Sequence, residues 1–428
     1  MSNQLTTKLV DERIRESVFF KPVNDGIDLY VHPKPKSHRQ HALLCVEYGS
    51  IDTLEETSVP TGVAHFLEHR LFDKNGSDIS ERFASLGADI DAQTSFTQTK
   101  FTVTTTNNLD CCIDLLWELI SDLHLYEEGI ERERQIIGRE IELFDDNVEW
   151  VCFSNALRAL YPNHPISIDI AGNVSSLREI DASTLEKCHD AFYCRERLSM
   201  FISGNVDEHT FLEKMSFSSL DSFLPGSAEE RALVRDSPIV QFSRVSSKLA
   251  IVRPRIYLAF SDVECGLTGL ELIKKEICLE LFADMLFGPS SMFFAKHYET
   301  GEIDGENFGW ETYAEPAFVF SVLGGNVGDS ERFEQSVRDE LIRVSGGGFS
   351  HSDFQRSRRK LFGRILGWYE DTENCAAMNH SAVSRGAAPF DFTEALQQTT
   401  IQDVEKCLFT CFNVDNFGVG VVEPVRRA

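Results

Sequence analysis

The sequence predicts two similar α+β domains within one chain of 428 residues. Three observations lead to this prediction. The length suits two to four domains of about 100–200 residues each. Segments that alternate like strands are mixed along the chain with segments that have helical periodicity. The second half also repeats the order of the first at an offset of 225 residues, which takes Phe144 to Tyr369.

The first half contains the clearest elements. Val, Leu, Ile and Thr concentrate in its predicted strands, which are residues 27–31, 42–48, 101–106 and 198–203. Its predicted helices are residues 61–73, about 78–87, a segment containing Leu115, Leu116 and Leu119, and a long charged segment at about 127–144.

The second half repeats these features. Phe144-Asp145-Asp146-Asn147 is echoed by Tyr369-Glu370-Asp371-Thr372, and the same offset takes Gly138-Arg139 to Gly363-Arg364 within a charged helix predicted at 356–368. The strand at 101–106 resembles 318–322 at a slightly smaller offset. Residues 217–248 contain Ser, Pro and Gly with mixed charge and show no convincing long period, which indicates a linker. The predicted organisation is therefore a domain at 1–216, a linker at 217–248 and a second domain at 249–428.

Composition excludes several classes of function. The net charge of −27 opposes nucleic acid or an anionic lipid surface as the main partner. No segment approaches the ~18 apolar residues that span a bilayer. The N-terminus lacks the apolar core of a secretory signal, and early acidic residues argue against a transit peptide. The eleven cysteines lack paired metal-binding spacing, which is typical of reduced thiols, so we expect a cytoplasmic protein without a membrane or nucleic-acid partner.

The first half carries the motif His65-Phe66-Leu67-Glu68-His69. On a helix, His65 and His69 lie four residues apart on one face, where two imidazoles can bind one metal ion. Glu68 lies beside the same face and can accept a proton. This H-x-x-E-H order is an established peptidase signature, but two surface histidines on a helix can also arise by chance.

A hydrolytic zinc site needs a third protein ligand. Glu133 and Glu140 lie two turns apart on one face of the long charged helix, although neighbouring glutamates make solvated charge the default interpretation of any one of them. At the offset of 225, Glu133 becomes Arg358 and Glu140 becomes Ile365, and the second half also lacks the motif. Histidines and carboxylates thus vary together between the halves.

Taken jointly, these residues resemble the insulinase (pitrilysin) family of zinc metallopeptidases, in particular its short two-domain bacterial members. The central matching residues are Gly62–His69, Leu71-Phe72, Glu131-Arg132-Glu133-Arg134 and Glu140. Further matches are Tyr48-Gly49-Ser50, Ala92–Phe96, His164-Pro165 and Ala171-Gly172. The resemblance implies an α+β fold with two homologous domains, each a mainly antiparallel sheet packed with helices.

The resemblance also implies roles for individual residues. His65, His69 and Glu140 would bind one Zn²⁺ per chain, Glu68 would be the general base, and Glu133 would support the site. Residues at about 90–97, including Asp91, Ala92 and Thr94, would form a strand that pairs with the peptide backbone. The implied reaction is direct hydrolysis of a peptide bond by water, without a covalent intermediate.

Two departures from the family pattern stand out. Asp91 occupies a position where Asn is usual, and an ionised carboxylate cannot donate a hydrogen bond to the substrate. Tyr298 stands where an Arg is expected, and Asn307-Phe308 stand near the expected Tyr. Lys296 is a candidate substitute, although an ammonium group lacks the planar fork of a guanidinium. We therefore expect a homologous non-catalytic subunit to supply the Arg and Tyr in a heterodimer, with a self-sufficient homodimer as the alternative.

Three functions follow as hypotheses. The leading one is a zinc-dependent endopeptidase acting on small or unfolded peptides, for instance in peptide maturation or leader removal. The second is a non-catalytic structural or interaction member of the same family, which the intact His65, Glu68, His69 and Glu140 oppose. The third is a metal-binding scaffold, which predicts zinc without peptide cleavage.

Overall fold

Helices and strands are mixed along the chain in the computed structural model, which describes residues 6–23, 27–52, 59–208, 211–212, 243–264 and 266–425. The strands are β1 Thr7–Asp11, β2 Glu16–Val23, β3 Ile27–Pro33, β4 Gln40–Val46, β5 Asp73–Lys74, β6 Ser77–Asp78, β7 Ala88–Thr94, β8 Thr99–Thr105, β9 Leu198–Gly204, β10 Ser243–Leu249, β11 Arg255–Ser261, β12 Gly309–Glu315, β13 Phe318–Asn326 and β14 Phe417–Pro424. The helices are α1 Val63–Phe72, α2 Ser80–Ser85, α3 Leu109–Ser121, α4 Glu127–Asp145, α5 Val148–Leu160, α6 Val174–Leu177, α7 Ala182–Phe192, α8 Gly269–Phe287, α9 Met292–Glu299, α10 Ser330–Gly347, α11 His351–Trp368, α12 Thr372–Val383, α13 Asp391–Gln398 and α14 Ile401–Thr410.

The elements confirm the predicted α+β class. Each strand and helix predicted in the first half is present, with ends within about two residues of the prediction. The charged helix predicted at 356–368 begins earlier, at His351. The last six residues of the predicted linker belong to β10, and its residues 217–242 lie outside the described part of the chain.

The two large sheets share their strand order over five strands. The first is β1-β2-β3-β9-β4-β8-β7 and the second is β10-β14-β11-β13-β12. In each sheet one pair is parallel, β3 with β9 and β10 with β14, and every other pair is antiparallel. The second sheet therefore matches the last five strands of the first, which is the structural counterpart of the repeat in the sequence.

The chain forms two compact units that exchange helices. Unit 1 comprises Met1–Ile141, Asp169–Ala232 and Leu366–Ser384, and unit 2 comprises Glu142–Ile168, Leu233–Ile365 and Arg385–Ala428. Helix α5 follows the first sheet's long helix in sequence but packs on β10, β11 and β14, whereas α12 packs on β3, β4 and β9. The units thus differ from the contiguous domains 1–216 and 249–428 expected from sequence order.

The exchanged helices begin in the same way. The side chain of Asn147 accepts hydrogen bonds from the backbone N–H groups of Glu149 and Trp150, and Asp371 accepts one from Asn374. Such caps satisfy backbone donors that a helix leaves unpaired at its start. Glycine makes room for α5 in unit 2, because a Cβ on Gly420 would lie 2.3 Å from the backbone nitrogen of Ala156.

Each unit buries an apolar core. In unit 1, aliphatic side chains of β4 and β8 pack against α1 and α3, with Trp117 almost fully buried. In unit 2, Phe260, Phe282, Phe412 and Phe417 form a cluster with ring centroids 4.4–5.0 Å apart. Among the described residues, no single helix has the length and apolar composition of a membrane span, and α8 and α9 reach that criterion only as a pair bent by 45°.

Candidate metal centre

Helix α1 carries the H-x-x-E-H motif in unit 1, and a close backbone contact fixes its start. Gly62, the residue before α1, has φ 94°, a left-handed conformation that favours glycine. A Cβ at this position would lie 2.4 Å from the carbonyl oxygen of Ala171. Only glycine fits this turn, so the Gly62 and Ala171-Gly172 segments together place the histidines.

His65 and His69 lie side by side on α1, with ring centroids 4.7 Å apart. Both rings are largely buried, with 15% and 21% of their side-chain surface exposed. Glu140 on α4 faces them: its Oε2 lies 3.5 Å from His69 Nε2 and 3.9 Å from His65 Nε2.

These three residues fit a zinc ion. Their ligand atoms all lie within 4.8 Å of one another, and atoms bound to one tetrahedral zinc at about 2.0–2.2 Å stand about 3.3–3.6 Å apart. Glu140 Oε2 is buried and has no hydrogen-bond partner among the described residues. Two imidazoles and one carboxylate are also the ligand types that leave a coordination position open for catalysis.

The charges of these side chains suit a cation at this place. Burial and the neighbouring His69 lower the pKa of His65 to about 4. Burial also disfavours charge on His69, but its ion-pair contacts with the carboxylates of Glu133 and Glu140 prevail and raise its pKa to about 9. The contact with His69 lowers the pKa of Glu140. The two carboxylates thus hold a positive charge between them.

Glu133 contacts the other ring nitrogen of His69, with 3.5 Å between its Oε2 and Nδ1. A carboxylate at this nitrogen fixes the ring and its tautomer, so that Nε2 can bind a metal. Arg70, fully buried, lies with its Nη1 3.8 Å from Glu133 Oε1 and 3.0 Å from Asp73 Oδ2. This arrangement suits the supporting role predicted for Glu133.

Glu68 lies on the other side of the motif and is held by Thr94. The hydroxyl group of Thr94 donates a hydrogen bond to Glu68 Oε2, and Thr99 in turn donates one to the carbonyl oxygen of Tyr48 at 2.9 Å. Burial raises the pKa of Glu68, while the Thr94 hydrogen bond opposes that rise. Thr94 therefore positions Glu68.

A cleft of about 700 Å³ opens beside these residues within unit 1. Its lining includes Glu68, His69, Glu133 and residues of β7. Strand β7 is at the edge of its sheet, so one side of its backbone is available to another strand. Ala92 lies on the same face of β7 as Thr94, and Asp91 lies exposed on the opposite face.

Unit 2 has no equivalent centre among its described residues. Helix α8 contains no histidine, and Ile365 and Arg358 occupy the positions that match Glu140 and Glu133. Tyr298 is exposed and stacks on Phe294 at 5.7 Å, and Lys296 is also exposed. Asn307 donates a hydrogen bond to Asp304 at 2.6 Å.

The sequence did not predict the parts played by Arg70, Asp73 and Tyr126. Asp73 accepts hydrogen bonds from Arg70 and from the Tyr126 hydroxyl, and Arg132 also pairs with it. One feature of the sequence could have indicated that Arg70 is buried: it stands between apolar residues, Phe66-Leu67 and Leu71-Phe72, on the helix that carries the motif.

Comparison with known families and proteins gives two matches along the chain. Residues 30–174 match the family described as Insulinase (Peptidase family M16). Residues 179–361 match the domain described as Peptidase M16 inactive domain. The first match contains all five polar residues of the candidate centre, and together the matches span more than three quarters of the chain.

Individual proteins agree with these matches. Uncharacterized zinc protease YmfH of Bacillus subtilis is 29% identical over 421 residues, which cover 96% of this chain and 98% of that protein. The mitochondrial-processing peptidase subunit beta of Neurospora crassa is 26% identical over 213 residues, 48% of this chain and 44% of that protein. An M16-like peptidase from Alicyclobacillus acidocaldarius has a crystal structure with a TM-score of 0.87 at 25% identity, covering 99% of both chains.

Proposed function

The chain belongs to the insulinase family, peptidase family M16, and from this premise we propose that it is a zinc-dependent endopeptidase of small or unfolded peptides. The observation that carries the proposal is the cluster of His65, His69 and Glu140, with Glu68 beside it and Glu133 behind it. Peptide maturation or leader removal is the proposed use of this activity.

His65, His69 and Glu140 would hold one zinc ion per chain. When bound, zinc supplies Lewis-acid chemistry, since it polarises a carbonyl group and makes water more acidic. Thr94 donates a hydrogen bond to Oε2 of Glu68 and orients the carboxylate that accepts a proton from the attacking water. Glu68 then returns that proton to the leaving nitrogen of the peptide. Glu133 keeps His69 in the orientation in which Nε2 faces Glu140.

The free edge of β7 would hold the substrate as an added strand. Main-chain hydrogen bonds to residues such as Asp91, Ala92 and Thr94 provide binding with little demand on sequence. Only an extended segment can pair in this way, which supports unfolded or short peptides as substrates rather than folded proteins. Asp91 projects from the opposite face to Glu68 and contributes charge rather than chemistry.

We propose that a homologous, non-catalytic subunit completes the enzyme. The support is that Tyr298 and Asn307 replace the expected Arg and Tyr, and that the similar N. crassa protein is a subunit called beta. A donor aimed at developing charge on the scissile carbonyl is worth about 10²–10³ in rate. The alternative is a homodimer, in which Lys296 or Tyr298 donates the hydrogen bond to the scissile carbonyl.

The proposed location is the cytoplasm. All ten described cysteines are free and nine are buried, as expected for a protein in a reducing compartment. Neither a membrane nor a nucleic acid is proposed as a partner. The alternative function is that of a non-catalytic family member. The histidine motif opposes it, because the motif lies in the half that matches the peptidase family and not in the half that matches the inactive domain.

The first test is metal analysis with cleavage of an unstructured fluorogenic peptide. We expect about one zinc per chain, which His65→Ala or His69→Ala abolishes. Glu68→Gln should keep the metal but lower turnover by about 10²–10⁴, because it loses only its proton acceptor. Zinc without turnover, with or without a partner, would identify a scaffold. Wild-type turnover in Glu68→Gln would contradict the assigned mechanism.

The second test concerns the partner. A homologue that lacks H-x-x-E-H but has the Arg and Tyr is titrated against a fixed amount of this chain. We expect the rate to rise by orders of magnitude up to one equivalent, and Arg→Ala in the homologue to abolish the rise. A high rate without the homologue, unchanged on its addition and damaged by Lys296→Ala, would establish the self-sufficient enzyme.

A further inference from the structure

A second cleft, of about 550 Å³, lies in unit 2 on the face of the sheet that packs against α5. None of its lining residues belongs to the metal centre. Six aromatic residues line it, together with three glutamates and one arginine. The aromatic residues are Trp150, Phe153, Tyr257, Phe308, Trp310 and Tyr313, and the charged residues are Glu149, Arg255, Glu306 and Glu311.

The aromatic walls are held in place although they are partly exposed. Tyr313 stacks on Phe320 with ring centroids 4.6 Å apart, and Phe153 lies 5.5 Å from Tyr313. The Trp150 ring lies beside Phe153, with ring centroids 5.8 Å apart. A preformed aromatic cleft binds a ligand with little loss of side-chain entropy.

The charge of the cleft is negative. Glu149 forms an ion pair with Arg255, with 2.9 Å between Oε1 and Nη2. Glu306 and Glu311 are exposed, and among the described residues no basic side chain pairs with either. An anionic ligand would therefore be repelled, whereas a cationic one would gain from both the carboxylates and the aromatic faces.

The cleft already contains one example of this chemistry. The guanidinium group of Arg255 lies 5.2 Å from the centroid of the Tyr257 ring while it is paired with Glu149. Its Nη2 also donates a hydrogen bond to the Tyr257 hydroxyl at 2.6 Å. A guanidinium between an aromatic ring and a carboxylate is thus a stable arrangement in this part of the unit.

We propose that this cleft binds an arginine or lysine side chain of a peptide. The apolar stem of such a side chain would lie against Phe153, Tyr313 and Trp150, and its charged head would lie near Glu306 and Glu311. The site goes beyond the proposed peptidase activity, because binding requires neither zinc nor Glu68. The two proposals therefore fail independently.

The test measures binding of a labelled, Gly- and Ser-rich peptide with one central arginine to the full-length Glu68→Gln protein, by fluorescence anisotropy. The comparison peptide has citrulline, which has nearly the same shape but no charge. We expect the arginine peptide to bind about 5- to 10-fold more tightly. Equal affinity for both peptides would overturn the proposal.

Charge variants separate this cleft from the general negative charge of the protein. Glu306→Gln with Glu311→Gln should weaken the arginine peptide by about 3- to 10-fold and leave the citrulline peptide unchanged. The matched control is Glu299→Gln with Glu331→Gln, which removes the same charge from exposed positions of unit 2 outside the cleft. Equal losses in the two double variants would mean non-specific attraction and would contradict the site.

An aromatic variant tests the walls. Trp150→Leu should reduce the preference for arginine over citrulline to about twofold, because it removes a ring face but keeps an apolar side chain. Circular dichroism and thermal unfolding show whether it remains folded. A folded Trp150→Leu protein with an unchanged preference would exclude Trp150 from the site, and an unchanged preference in the glutamate variant as well would overturn the proposal.

Discussion

The two units share a strand order but differ in the side chains at the same edge of the sheet. In unit 1 the edge strand β7 lies beside His69, Glu68 and Glu133. In unit 2 the edge strand β12 lies beside aromatic rings and carboxylates. The same backbone frame occurs in both units, whereas the polar groups of the candidate metal centre occur in one of them. The fold alone therefore does not decide the chemistry of either half.

The long helices α4 and α11 show how local this difference is. Glu140 has 37% of its side chain exposed and faces two imidazoles, whereas Ile365 is 1% exposed. The Glu140 carboxylate is tolerated because it is partly exposed and faces two imidazoles, whereas the aliphatic side chain of Ile365 completes a core. Exchanging the two residues therefore shows which position is required for zinc binding and cleavage, and which is required for stability.

The largest effect is expected from Glu140→Ile, which gives unit 1 the residue of unit 2. Zinc content should fall from about one per chain towards zero and peptide cleavage should disappear, because one of three protein ligands is lost. Thermal unfolding of the metal-free protein should change little, since Glu140 is partly exposed. Inductively coupled plasma mass spectrometry and the cleavage assay measure both effects.

The control for Glu140→Ile is Glu142→Gln, an exposed glutamate on the same helix, which should retain zinc and activity. Full zinc occupancy in Glu140→Ile would show that another carboxylate, Glu133 foremost, is the ligand.

The reverse exchange, Ile365→Glu, should affect stability rather than chemistry. It places a carboxylate in an apolar site, and we expect a loss of about 2–5 kcal/mol in the free energy of unfolding. Urea unfolding measures this loss. Ile365→Val, which removes one methylene group, should cost only about 0.5–1.5 kcal/mol. If Ile365→Glu were as stable as the wild type, the two positions would not differ in their demand for packing.

A smaller effect is expected at the positions behind the centre. Glu133→Gln should weaken zinc affinity by about 10- to 100-fold, because it loosens the carboxylate that orients His69. Arg358→Gln, the matching change in unit 2, should leave zinc affinity unchanged. Competition with a zinc chelator measures both. An unchanged affinity in Glu133→Gln would mean that His69 is oriented by packing alone.

Local pattern predicted most of the fold, and the reasons for its failures are physical. The buried strands and amphipathic helices of the first half are evident because their apolar residues repeat with a regular period. Strand β10 was placed in the linker, since its side chains are mostly half-exposed and Ser-rich, without apolar alternation. The exchange of α5 and α12 was not predictable, because an amphipathic helix specifies that it packs but not on which sheet.

The candidate centre divides in the same way. The spacing of His65 and His69 follows from helix geometry alone, so the sequence predicted their pairing. The contact of Thr94 with Glu68 and the burial of Arg70 depend on elements that are distant in sequence. A charged residue is buried only when tertiary partners compensate it, and those partners have no signature in the local pattern.

The smallest effects concern two helix caps that use the same residue types in opposite positions. In unit 1, Asp181 caps α7 and accepts a hydrogen bond from the backbone N–H of Thr184 at 2.8 Å. In unit 2, 219 residues later, Thr400 caps α14 and Asp403 accepts from Thr400. Asp181→Ala and Thr400→Ala should each cost about 1 kcal/mol of unfolding free energy, measured by urea unfolding at neutral pH.

The pH dependence of these caps is the last prediction. Hydrogen bonds from Thr184 lower the pKa of Asp181. For Asp403, partial burial opposes ionisation, but Thr400 and the ammonium group of Lys274 lower its pKa to about 2. Since both native pKa values lie below the unfolded value of about 3.9, each carboxylate stabilises the fold above that pH, and the contribution is lost as the pH falls towards the native pKa.

Between pH 5 and pH 3, Asp403→Asn should therefore lose less unfolding free energy than the wild type, by about 0.5–1 kcal/mol after allowance for solvent screening. Asp181→Asn, which keeps a capping side chain but no charge, should show the same sign. Identical pH slopes for Asp403→Asn and the wild type would mean that the reversed cap of unit 2 stabilises α14 through hydrogen bonds alone, without a contribution from the charge.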